Sequence, residues 1–139
     1  MAELGTISQM HAVSPFRIDS FEPEPAYSDG DGVRYERIRI AKSFTGDLVA
    51  ESKVEMLSVR AEPTGAGYVA LERIEGTLQG KRGTFALLHL GTMVGEKPWA
   101  QWPIAPGSGT AELTGISGQA TIEIDDAGAH TLLLDYELD

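Results

Sequence analysis

Glu72 lies in the stretch Val-Ala-Leu-Glu-Arg-Ile-Glu-Gly-Thr-Leu, residues 69–78. Read as a strand, this stretch sets Val69, Leu71, Arg73, Glu75 and Thr77 on one face and Ala70, Glu72, Ile74, Gly76 and Leu78 on the other. The first face carries opposite charges and is wet. The second is small and apolar except for Glu72. A carboxylate on a dry face is costly to bury unless it is paired or hydrogen-bonded. Unpaired, it has a raised pKa and can act as a general acid or base on a bound substrate. Paired with His89, Lys42 or an arginine, it pins the register of the strands. The structural reading carries more weight, because structural networks perturb pKa values too. His89 divides the same way, between the acid–base group that works with Glu72 and a satisfied core residue.

Other chemistry is sparse. Ser52 as a nucleophile needs an adjacent base and an oxyanion site, and no Gly-x-Ser-x-Gly elbow surrounds it. The three histidines, His11, His89 and His130, are far apart, with no His-x-x-x-His spacing, so no metal is expected. Asp29-Gly-Asp-Gly starts like a calcium loop but lacks the later ligands, and reads as a turn. Gly107 and Gly109 precede no helix, which excludes a phosphate loop.

The elements that must hold Glu72 and His89 are strands. Turn signals recur at short intervals: Asp29-Gly-Asp-Gly, Thr45-Gly-Asp, Pro63-Thr-Gly-Ala-Gly, Gln79-Gly-Lys-Arg-Gly, Gly95-Glu-Lys-Pro and others after them. Between them lie runs rich in Val, Ile, Thr, Tyr and Phe, which predict strands over roughly 9–20, 33–44, 47–60, 68–78, 82–93, 98–104, 119–125 and 130–138. Residues 110–114 read as one helical turn or loop. Eight antiparallel strands joined by hairpins close most naturally into an all-β up-and-down barrel, with a two-sheet sandwich as the alternative. Charge positions set the inward parity: Glu36, Ile38, Ile40, Lys42 and Phe44; Leu48 to Ser58 by twos; Ala120, Ile122 and Ile124; Leu132, Leu134, Tyr136 and Leu138. In 82–93 both faces are apolar, and Phe85, Leu87 and His89 are placed inside so that His89 meets Glu72.

Composition limits the partners. The 139 residues suit one domain, with residues 1–8 a loose leading segment. There is no cysteine, which fits a reducing cytoplasm and rules out thiolate chemistry. A net charge of −10 repels phosphate backbones and anionic lipids, so neither nucleic acid nor membrane is an expected partner. The outward apolar residues Val69 and Leu71 suit a second subunit, giving a homo-oligomer.

The segments Lys42-Ser-Phe-Thr-Gly-Asp-Leu, Leu71 through Phe85, His89-Leu-Gly-Thr and Pro106 through Gly118 resemble an uncharacterised family of small bacterial barrel proteins, across about residues 8 to 138. That family is grouped by fold with allene oxide cyclase and the plant dirigent proteins. The resemblance implies an eight-stranded barrel with an apolar lumen. Relatives of this fold bind or steer small hydrophobic molecules, and some catalyse cyclisation without a cofactor. The family pattern carries a Glu at Glu72 and a His at His89. It departs at Ala111 and Ser117, and no catalytic residue of allene oxide cyclase aligns here.

The expectation is therefore a barrel that binds a small apolar molecule in its lumen. It acts either as a cofactor-free isomerase or cyclase using Glu72 and His89, or as a carrier or sensor; a filled barrel acting through assembly is the third reading. Ser52, Phe44, Met56, Phe85, Trp102 and Tyr136 are the expected ligand contacts.

Overall fold

The structure, a computed structural model, describes residues 9–138. The expected loose segment over 1–8 lies outside them. The strands are β1 (Met10–Pro23), β2 (Ser28–Gly30), β3 (Val33–Phe44), β4 (Leu48–Ala61), β5 (Gly65–Leu78), β6 (Lys81–Val94), β7 (Lys97–Pro103), β8 (Ser117–Ile124) and β9 (His130–Glu137). A single 3-10 turn spans Ala111–Leu113. Hydrogen bonding runs β1-β9-β8-β7-β6-β5-β4-β3, and β1 pairs with β3 to close the ring. This is the eight-stranded antiparallel barrel, and closure removes the sandwich alternative.

Three local features differ from the reading of the sequence. Strand β1 runs on to Pro23, because its first half pairs with β9 and its second with β3, across a register shift between Ile18 and Ser20. Strand β5 starts at Gly65, which pairs with Ala61 directly across the turn. The short β2 attaches to β3 alone at the rim; its Ser-Asp-Gly sequence has no apolar alternation to announce it.

Alternation places the core as expected, from charge positions on β3 and, on β6, from the match of His89 to Glu72. Phe85, Leu87 and His89 are inward on β6, and Glu36 through Phe44 by twos are inward on β3. Ile124 has the inward parity yet is exposed, because β8 ends at an open rim.

The two ends of the barrel differ. At the end holding the β3–β4 and β5–β6 turns the interior is solid: Leu48, Leu78, Phe85, Leu132, Leu134 and Tyr136 form one cluster. The segment between β7 and β8 seals that end, contributing buried Ile104, Leu113 and Ile116. Gly83 makes the seal possible: a Cβ there would stand 2.2 Å from the Thr110 carbonyl oxygen and 3.2 Å from Leu113. The Tyr136 hydroxyl donates to Gln79, whose amide donates to the His11 carbonyl at 3.1 Å, tying β9, the β5–β6 turn and β1 together. On the outer wall Leu57, Val69, Leu71, Leu88 and Leu90 are exposed neighbours across β4, β5 and β6.

The seal at Gly83 has a measurable cost of disruption. Gly83→Ala should lower stability by about 1–3 kcal/mol through overpacking, read as a lowered urea midpoint. Gly30→Ala, where a Cβ meets nothing within 4 Å, should leave the midpoint unchanged.

Candidate functional site

Glu72 points inward from the middle of β5, and the ladders determine what it can reach. Its direct partners are Val54 on β4 and Leu87 on β6, so Ser52 and His89 are its diagonal neighbours. Lys42 stands beside Ser52 on β3 and reaches across on its long stem. All three donate to the carboxylate. Lys42 Nζ donates to Oε1 at 3.2 Å, His89 Nε2 meets the same oxygen at 2.8 Å, and the Ser52 hydroxyl donates to Oε2 at 2.6 Å. Glu72 is 1% exposed. Burial pushes its carboxyl up, but the His89 hydrogen bond, the Lys42 charge and the Ser52 hydrogen bond outweigh burial and hold it below the ordinary value. The acid is therefore not alone in an apolar tube; it is ionised and three-fold bonded.

That charge state assigns the imidazole. An ionised carboxylate only accepts, so the Nε2 atom of His89 carries the hydrogen. Among the described residues no hydrogen bond is made to Nδ1, and this atom is not one of the sealed-off polar atoms. In the neutral ring Nδ1 is a free lone pair.

Above this layer, toward the end with the β4–β5 and β6–β7 turns, the barrel is hollow. A cavity of about 710 Å³ opens there. Its walls are Phe16, Ile38, Ile40, Val54, Met56 and Trp102, with Tyr68 and Trp99 nearer the mouth. Lys42 and His89 border it, and Glu72 sits behind them. The Lys42 ammonium also lies 4.8 Å from the centre of the Phe16 ring, a cation–π contact. At the mouth Glu36 is held by Arg60 at 2.6 Å and Arg34 at 3.3 Å. The Arg60 hydrogen bond lowers its carboxyl pKa against the opposing effect of burial, with Arg34 adding to the lowering. Tyr68 lies over Gly91, where a Cβ would come 2.2 Å from the ring. Burial pushes the Tyr68 phenol up, and the neighbouring Trp102 N–H works the other way. The Ser58 hydroxyl is buried beside the cavity without a hydrogen-bond partner among the described residues, and Trp102 Nε1 makes only a loose approach to the Tyr68 phenol.

The residues singled out in the sequence separate into three places. Glu72, His89 and Ser52 come together in one hydrogen-bonded group. Met56 and Trp102 line the cavity. Phe44, Phe85 and Tyr136 pack in the solid cluster and do not border the cavity. The hollow lies at one end, and inward parity alone does not say which end a residue serves. Phe16, Tyr68 and Arg60 border the cavity and were missed. Tyr68 was accessible to the same reasoning, since it shares the inward parity of Glu72. Phe16 was not, because nothing in its own segment says that β1 bends across to β3.

The family model described as "Protein of unknown function (DUF3224)" matches residues 12–136. A crystal structure of a protein with unknown function from the DUF3224 family of Shewanella oneidensis MR-1 superposes with a TM-score of 0.83 at 35% identity, over 96% of this chain and 98% of that one. No curated protein matches.

The charge layer predicts a pH signature. Because the native pKa of Glu72 lies below the ordinary 4.5, its stabilisation is complete above about that pH and fades as pH falls through the lower native value. Urea unfolding of Glu72→Gln at pH 7 should show a loss of about 3–5 kcal/mol, the usual cost of breaking a buried pair. The difference from the wild type should shrink steadily on acidification below that range.

Proposed function

This chain belongs to the DUF3224 family of proteins of unknown function, and for it we propose the binding of one small, largely apolar molecule in the open half of the barrel, with cofactor-free isomerisation as the chemistry. The observation that carries the reading is the cavity itself: about 710 Å³ of mainly apolar wall ending on Lys42 and His89. That combination, an apolar concavity with a few convergent polar groups, is the usual form of a small-molecule site. Energetics points the same way. A buried ionic group is commonly no more stabilising than apolar side chains of the same size, so the Lys42–Glu72–His89 group is better explained by what it presents than by what it holds. The unpartnered Ser58 hydroxyl favours an occupant that brings a hydrogen-bonding group to the wall. The expected kinship of fold with allene oxide cyclase and the dirigent proteins supports the same class of ligand. A carrier that releases its ligand unchanged would use the same walls, and turnover separates the two.

The neutral fluorophore N-phenyl-1-naphthylamine should bind the wild type with micromolar affinity, about 8 kcal/mol, with enhanced emission. Met56→Trp, which fills the cavity without touching the charge layer, should weaken binding at least about tenfold. Absence of binding to the wild type, or equal binding to both proteins, refutes the cavity as a site. Native mass spectrometry of protein from its own host should show a retained small molecule.

A further inference from the structure

We infer that the floor of the cavity is arranged to enolise an apolar ketone, with His89 as the base and Lys42 as the group that receives the developing negative charge. This rests on the binding reading above and names the substrate class for that site.

The argument is geometric. His89 and Lys42 share a single carboxylate oxygen, at 2.8 and 3.2 Å, so the two are held side by side with little freedom. Both border the cavity, while Glu72 does not. One edge of the imidazole is fixed by Glu72; at the other edge Nδ1 makes no hydrogen bond among the described residues, and in the neutral ring it offers a lone pair. The ammonium has three N–H donors, and Glu72 Oε1 is its one hydrogen-bond acceptor among the described residues. The floor thus offers a base and a cationic donor at adjacent points, against mainly apolar walls. A carbonyl compound with a hydrogen on the neighbouring carbon is complementary to that pair: its oxygen faces Lys42 and its C–H faces His89.

The step balances without a co-reactant. His89 Nδ1 takes the proton, the C–H electron pair becomes the enolate double bond, and the carbonyl pair moves to oxygen, where Lys42 donates a hydrogen bond. His89 then returns a proton to the same carbon, or to the far carbon of a conjugated system, and the double bond is shifted or the stereocentre inverted. Glu72 is a positioning residue: it fixes the tautomer and steadies the imidazolium that forms, without touching substrate.

The test uses the full chain and 2-tetralone, an apolar benzo-fused ketone whose benzylic C–H bonds beside the carbonyl are activated. Displacement of N-phenyl-1-naphthylamine reports its binding, and NMR in D₂O reports deuterium entering the carbon beside the carbonyl. The wild type should bind 2-tetralone and exchange it at least about 100-fold faster than an equal concentration of free imidazole, within the range general acid–base catalysis provides. His89→Gln and Lys42→Gln should each lose most of that rate while still displacing the fluorophore. Glu72→Gln should lower the rate at saturating ketone and leave its displacement of the fluorophore unchanged, a split that a merely structural role does not produce. Met56→Trp should weaken binding and slow exchange together, each at least about tenfold, and serves as the blocked-cavity control should a polar variant fail to fold. Exchange no faster than with imidazole, despite bound 2-tetralone, overturns enolisation and leaves the cavity standing. Failure of 2-tetralone to displace the fluorophore overturns the ketone class. Failure of the fluorophore itself to bind removes the binding reading as well.

Discussion

The interior of this barrel is organised around one carboxylate that water cannot reach. An ion at that depth persists only if its oxygens are fully engaged, and Glu72 is engaged by a lysine, a histidine and a serine from three other strands. Each donor has to arrive at its own register position. A slip of two residues in β3, β4 or β6 would keep the apolar alternation yet carry a donor about 7 Å along its strand and leave the charge uncompensated, which is a far larger penalty than the loss of one apolar contact. The charge layer therefore selects one register among those that apolar alternation alone would tolerate.

The same layer divides the molecule. On its closed side, aliphatic and aromatic side chains pack in one cluster down to the segment that Gly83 lets approach. On its open side the walls are mainly apolar and surround the cavity. The solid half can be read as the foundation. It fixes the strand ends rigidly, so that the inner half of each strand can support side chains over a cavity without collapsing into it. Tyr68 folded flat over Gly91 shows how closely the upper wall is fitted, since any side chain at Gly91 would have to displace the ring.

Within the charge layer the chemical roles follow from position more than from residue type. A buried glutamate suggests an acid or base. Here its partners keep it ionised and place it behind the surface that a guest would touch. The groups that border the cavity are two of its three partners, Lys42 and His89. The carboxylate contributes by fixing the imidazole's tautomer and by holding the ammonium in place.

Much of this was determined by the sequence alone. Turn chemistry and β-branched runs marked eight strands, and period-two alternation put Glu72, Lys42 and Glu36 inside, because a charge on an outward neighbour sets the parity of its strand; His89, on a strand with two apolar faces, was set inside only by its match to Glu72. Closure of the ring, the split into solid and hollow halves, and the three donors on one carboxylate were decided only in three dimensions. They depend on which residues of distant strands stand at the same height, and that is set by register shifts and by the path of β1, to which a local pattern of apolar residues is blind. Phe85 and Met56 illustrate the point: both are inward and both are apolar, yet one fills the core and the other borders the cavity, because they sit on opposite sides of the buried charge.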